Sequence, residues 1–256
     1  MAVIFSDAGP DIRWVGNENG YADETNWSTV RDGAFYPGIP GVNDQLQHGH
    51  EDGDTWLPTE VNTSIRPGWF YHRDQDGKVK SLDQLIDNWY HSVGMNGNFL
   101  LNLPVDGRGL IHENEVARLM ELKAYLDEAF SDNLVVGASA VEERSGYPAA
   151  GAVDGDLGTY WATDDAVNTA SLTVTFAEES EANAVLLQEY IALGQRVRSF
   201  TVEADILGEW QRVATGTTIG NRRIVRFDPV TTTRLRITFD AKASVVISNV
   251  EAYRVP

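Results

Sequence analysis

Gly9-Pro-Asp-Ile-Arg-Trp-Val-Gly-Asn-Glu18 is the stretch that decides how the first half of this chain folds. It places an arginine, a tryptophan and a carboxylate within six residues, just after the short apolar run Ala2-Val3-Ile4-Phe5. A short strand that runs into a loop carrying Arg, Trp and Glu is how a parallel α/β sheet offers a proton-transferring site at its strand ends. Because this stretch stands at the opening of the sequence, the expectation is the back portion of a larger barrel.

Working outward, Ser81-Leu-Asp-Gln84 has the spacing of a capping box, which predicts a helix start. Leu82, Leu85, Ile86, Trp89, Tyr90 and Val93 then fall on one helical face, closed by Gly94. Phe99-Leu-Leu-Asn-Leu103 reads as a buried strand. A second helix is outlined by Val116, Leu119, Met120, Lys123, Leu126 and Phe130. Strand and helix alternate, as in a parallel α/β fold, with about three strands expected.

The texture changes near residue 131. Ser171-Leu-Thr-Val-Thr-Phe, Phe200-Thr-Val-Glu-Ala, Arg223-Ile-Val-Arg-Phe and Leu235-Arg-Ile-Thr-Phe alternate apolar with polar, the period of half-buried antiparallel strands. The pairs Leu207-Gly208 and Asp228-Pro229 read as turns between strands. This half is expected to be a β-sandwich.

Composition bounds the partners. The chain has 256 residues and a formal net charge of -18, a surface that repels nucleic acid and anionic membranes. Without cysteine there is no disulfide, thiolate metal site or Cys nucleophile. No run is long and apolar enough to span a bilayer. The opening Met-Ala-Val-Ile-Phe-Ser-Asp has neither a basic n-region nor a long apolar core, so it does not read as a signal peptide.

Four stretches carry a family resemblance: Gly9 to Glu18, Trp56-Leu-Pro-Thr-Glu-Val61, Ser64-Ile-Arg-Pro-Gly-Trp-Phe-Tyr-His72 and Val93-Gly-Met-Asn-Gly-Asn-Phe-Leu-Leu-Asn-Leu-Pro104. Together they resemble the bacterial α-L-fucosidases of glycoside hydrolase family 29, and most closely the subgroup that cleaves α-1,3 and α-1,4 linked fucose. Ala152-Val-Asp-Gly-Asp-Leu-Gly-Thr-Tyr-Trp161 and Leu187-Gln-Glu-Tyr-Ile-Ala-Leu-Gly-Gln-Arg-Val197 resemble the discoidin-like, coagulation factor 5/8 C-type domain. The resemblance implies an α/β plus all-β chain. Residues 1–131 would be the C-terminal part of a (β/α)8-like barrel, and residues 132–256 a β-sandwich jelly roll of carbohydrate-binding-module type.

The activity so implied is retaining exo-hydrolysis of terminal α-L-fucose from glycans, through two carboxylates and no organic cofactor. Glu18 matches the acid/base; the bland alternative is a structural carboxylate paired with Arg13. Glu60 is the rival acid/base, or a group that orients Arg66 or a sugar hydroxyl. Arg13, Trp56, Arg66 and Trp69 match sugar contacts, Arg13 by charge-assisted hydrogen bonds and Trp69 by stacking. His48, His50, Glu51 and Asp52 match no zinc pattern and read as a polar loop. The family's nucleophile is an aspartate in a Trp-Phe-Asp-Gly-type motif, which this sequence does not contain. Turnover by this chain alone is therefore in question, and a missing N-terminal portion of the same enzyme becomes an expected partner beside the fucosylated glycan. The rival is a non-catalytic carbohydrate-binding protein acting through the discoidin-like domain. There, Asp154, Asp156, Thr159 and Glu251 resemble a structural calcium site, while Tyr147, Tyr190 and Arg196 would contact sugar or dock on the barrel. Family members are often periplasmic or secreted; for this chain the compartment stays open.

Overall fold

The computed structural model describes residues 3–6, 9, 11–36 and 39–256. Ala2 and Pro10 of the two opening stretches lie outside the described residues. The chain forms two compact units, 1–128 and 129–256.

The first unit has strands β1 (Phe5–Ser6), β2 (Ile12–Trp14), β3 (Thr29–Val30), β4 (Thr55–Trp56), β5 (Thr59–Ser64) and β6 (Gly97–Asn102). Its helices are α1 (Asn43–His48), α2 (Leu82–Ser92) and α3 (Glu113–Ala129). A parallel sheet runs in the order β1-β2-β5-β6, while β3 and β4 make a separate antiparallel ribbon. Sheet register sets Trp14 beside Glu60, Glu60 beside Asn98, and Ser64 beside Asn102. With side chains alternating at period two, Trp14, Glu60, Asn62, Ser64, Asn98 and Asn102 share one face. Arg13, Thr59, Val61, Thr63, Phe99 and Leu101 share the other. That second face meets the helices: Leu101 packs with Ile65, Leu85 and Leu122.

The capping box is formed as the sequence predicts, with Gln84 N donating to Ser81 Oγ at 3.2 Å and Ser81 N donating to Gln84 Oε1 at 2.9 Å. Helix α3 is turned from the expected stripe. Val116 and Met120 are exposed, and the inward row is Glu115, Leu119, Leu122 and Leu126. A buried carboxylate occupies the first place of that row because Arg66 waits there for it.

The second unit holds β7 (Val135–Ala140), β8 (Trp161–Ala162), β9 (Thr169–Glu189), β10 (Val197–Ile206), β11 (Glu209–Gly216), β12 (Arg223–Ala241) and β13 (Val246–Tyr253). Two long strands, β9 and β12, pair antiparallel with register breaks between Arg226 and Val230 and between Thr232 and Arg234. One end of the pair is flanked by β7 and β10, the other by β13. Each long strand thus serves both layers of a β-sandwich. The expected turn at Asp228-Pro229 does not occur; it lies inside β12 at a register break, where a residue without an N–H fits. Leu207-Gly208 does turn β10 into β11, with Leu207 fully exposed at φ 55°. Trp161, Leu172, Val174, Leu187, Val202, Leu235, Ile237 and Phe239 fill the core.

Candidate active site

The polar face of the parallel sheet is knitted by its own side chains. Trp14 Nε1 donates to Asn62 Oδ1 at 2.8 Å, Asn98 Nδ2 to Glu60 Oε2 at 3.1 Å, and Asn102 Nδ2 to Ser64 Oγ at 3.0 Å. Beyond the C-terminal end of β2 the chain turns through Gly16 at φ 87°, where a Cβ would strike the backbone of Asn43. This turn carries Glu18 outward, and Asn17 steadies it by accepting from Asn19 N at 3.0 Å and donating to Tyr21 O at 3.0 Å. Glu18 is exposed, and its Oε2 accepts the indole N–H of Trp69 at 3.0 Å. Trp69 arrives from the loop after β5, so the structure brings together two sequence candidates that lie 51 residues apart. Glu60 lies on the polar face, buried to 8% exposure with Asn98 as donor.

Of the remaining sugar-contact candidates, Arg13 and Arg66 are corrected. Arg13 is no sugar contact: it is fully buried on the opposite face of β2. Its Nε donates to Leu46 O at 2.8 Å, its NH2 to Asn26 Oδ1 at 2.9 Å and Trp27 O at 2.7 Å, and its NH1 to Leu57 O. Burial lowers its pKa to about 9. The suggested Glu18–Arg13 pair does not form. Arg66 is buried too, clamped by Glu115 and by Asp76 at 3.0 Å, with Tyr71 stacked 4.8 Å from its guanidinium. Glu60 therefore does not orient it. Trp56 is half-exposed on the separate ribbon, opposite Thr29. In the histidine loop, Asp52 pairs with Arg31, His48 with Asp23, and His50 stacks on Phe35. Sequence reasoning missed Asn62, Ser64, Asn98 and Asn102, while Trp14, besides its bond to Asn62, packs against the clusters around Leu46 and Val61. The signal was a polar residue at every second place of Glu60-Val-Asn-Thr-Ser64.

In the second unit, Asp154, Asp156 and Thr159 share one loop. The Thr159 hydroxyl lies 2.8 Å from both carboxylate oxygens of Asp154, 2.8 Å from Asp156 O and 3.3 Å from Gly151 O. One hydroxyl proton cannot serve four acceptors, and Asp154 Oδ1 also accepts from Asp156 N at 2.9 Å; the crowded oxygens are of the kind that suits a hard cation. Glu251 is not part of it; its carboxylate accepts from Tyr253 Oη at 2.7 Å. Among the described residues no three Asp, Glu, His or Cys side chains cluster as a metal site. Nearby, the rings of Tyr147, Tyr160 and Tyr190 stack in a row, 4.7 and 4.4 Å between centroids. Arg144 and Arg196 line the hollow beside Tyr147 and Tyr160.

Comparison with known proteins assigns both units. The sequence model of the α-L-fucosidase family matches residues 22–129, and that of the F5/8 type C domain matches residues 137–251. The first unit belongs to the α-L-fucosidase family and the second is an F5/8 type C domain. Alpha-L-fucosidase 1 of Arabidopsis thaliana is 37% identical over 98% of this chain, which spans 51% of that relative. The crystal structure of SpGH29 superposes with a TM-score of 0.93 at 32% identity, over 99% of this chain and 56% of its own. A Ruminococcus gnavus GH29 fucosidase in complex with fucose gives a TM-score of 0.89 at 29% identity, over 99% of this chain and 53% of its own. The chain thus spans about half the length of these fucosidases. Plant and bacterial members both match, so the likeness is to the family and not to its bacterial members alone.

Proposed function

We propose that this chain forms the acid/base side of a retaining exo-α-L-fucosidase, which removes terminal α-L-fucose from glycans. The observation that carries the proposal is Glu18, an exposed carboxylate at the C-terminal edge of a parallel sheet, held by Trp69 from within residues 22–129, which match the α-L-fucosidase family. In this role Glu18 protonates the leaving oxygen and then takes a proton from water. Arg13 and Arg66 support the loops behind it. The polar face, with Trp14, Glu60 and Asn62, supplies groups for sugar hydroxyls and the apolar edge of fucose. Two finer points belong to the same proposal. The sheet is part of a (β/α)8-like barrel, and the attacking aspartate, whose motif is absent from this sequence, comes from a further portion of the enzyme. The resemblance to the members that cleave α-1,3 and α-1,4 linked fucose belongs to the same proposal.

The test is Glu18→Gln, with the fold checked by circular dichroism. In the enzyme completed by the portion that carries the attacking aspartate, hydrolysis of an oligosaccharide fucoside is expected to fall by about 10²-fold or more. An unchanged rate would remove Glu18 from the chemistry.

A second reading, carbohydrate binding without turnover, is favoured by the tyrosine row and its two arginines in the second unit. Glycan binding lost in Tyr147→Ala, with no hydrolysis by the unaltered chain, would select it. The proposal also places Ca²⁺ in the second unit, held by Asp154, Thr159 and the carbonyls of Gly151 and Asp156. Thermal melts are expected to rise on adding Ca²⁺ and to lose that response in Asp154→Ala.

A further inference from the structure

We infer that Trp69 and Asn102 are positioning residues that fix which oxygen of Glu18 delivers the proton. The inference rests on Glu18 being the acid/base. An indole N–H only donates, so the oxygen it engages at 3.0 Å, Oε2, is held as an acceptor. The transferable proton then resides on Oε1, the free oxygen. Among the described residues, Trp69 is the only side chain bonded to the Glu18 carboxylate.

The indole can hold this place because its own backbone is pinned. Asn102 Nδ2 donates to Trp69 O at 3.1 Å and to Ser64 Oγ at 3.0 Å, and Ser64 Oγ donates to Gly68 O at 2.7 Å. Ser64 and Asn102 are register partners at the ends of β5 and β6. The position of the proton donor is thereby referred back to the rigid sheet, although Glu18 itself sits on an exposed turn. Stacking on sugar, the role the sequence suggests for Trp69, uses the ring face and leaves the edge-on N–H contact intact.

Two measurements test the inference, the first on this chain and the second on the enzyme completed by the portion that carries the attacking aspartate. The first needs no turnover. In the ¹H–¹⁵N spectrum the Trp69 indole proton is expected to exchange slowly, to stay slow in Glu18→Gln, where the amide oxygen still accepts, and to exchange freely in Glu18→Ala. Exchange that ignores Glu18→Ala overturns the inference. The second separates positioning from stacking. Trp69→Phe keeps a ring face and removes the N–H, and Asn102→Ala frees the loop. Both are expected to lower kcat about 10-fold for a sugar leaving group, with KM within about twofold, and far less for a dinitrophenyl fucoside, which departs without a proton. Equal loss for both leaving groups, or a change confined to KM, overturns it. If the indole responds to Glu18 but Glu18→Gln leaves hydrolysis intact, the acid/base assignment itself has failed.

Discussion

Arg13 is a buried guanidinium held by four oxygens and no carboxylate. Its planar fork gathers Asn26, Trp27, Leu46 and Leu57, which lie in three separate stretches of chain. A lysine has one nitrogen and cannot reach all four. Arg13→Lys is therefore expected to destabilise the first unit by about 2–4 kcal/mol, read from urea unfolding. Glu189 poses a different problem. It is buried, accepts N–H groups from Arg196, Val197 and Gly220, and burial pushes its pKa from 4.5 up to about 7. The unfolded chain releases this proton near 4.5, while the folded chain keeps it to about 7. Between those values the folded state binds more protons, so stability falls as pH rises. The loss amounts to about 3 kcal/mol across the window, and Glu189→Gln is expected to flatten the pH dependence of the second unit's melting point.

At the level of elements, what was legible depended on whether the signal was local. Ser81 and Gln84 are three residues apart, and their capping box could be read directly. The α3 face was misjudged because Glu115 is buried only by virtue of Arg66, 49 residues away. Arg13 looked like a ligand group because a three-residue strand gives too short a pattern to tell one face from the other. Glu18 and Trp69 were each legible as site residues, but nothing in the sequence announced their hydrogen bond. Leu207-Gly208 was legible as a turn, yet its cost was not. Leu207 takes a left-handed conformation that a branched apolar residue adopts poorly. Leu207→Asn is expected to stabilise the second unit by about 0.5–1 kcal/mol in thermal melts.

Across the whole molecule, the two units differ in how their apolar residues are gathered. Among the described residues, the second buries one continuous core running from Val135 to Ala252, whereas the first gathers its buried apolar residues in smaller clusters around Leu46, Val61 and Leu85. The first unit also leaves Leu100 on the polar sheet face and Phe70 in the loop after β5 exposed. It is therefore expected to open at lower denaturant, and limited proteolysis is expected to leave a resistant fragment of roughly residues 129–256. Equal survival of the first unit would contradict this. The sharing of β9 and β12 between both layers of the sandwich has its own mechanical consequence. The two layers have these strands in common, so a pull that strips β9 or β12 from one layer draws on the other as well. The domain should give way in a single event, like a hinge with one common pin.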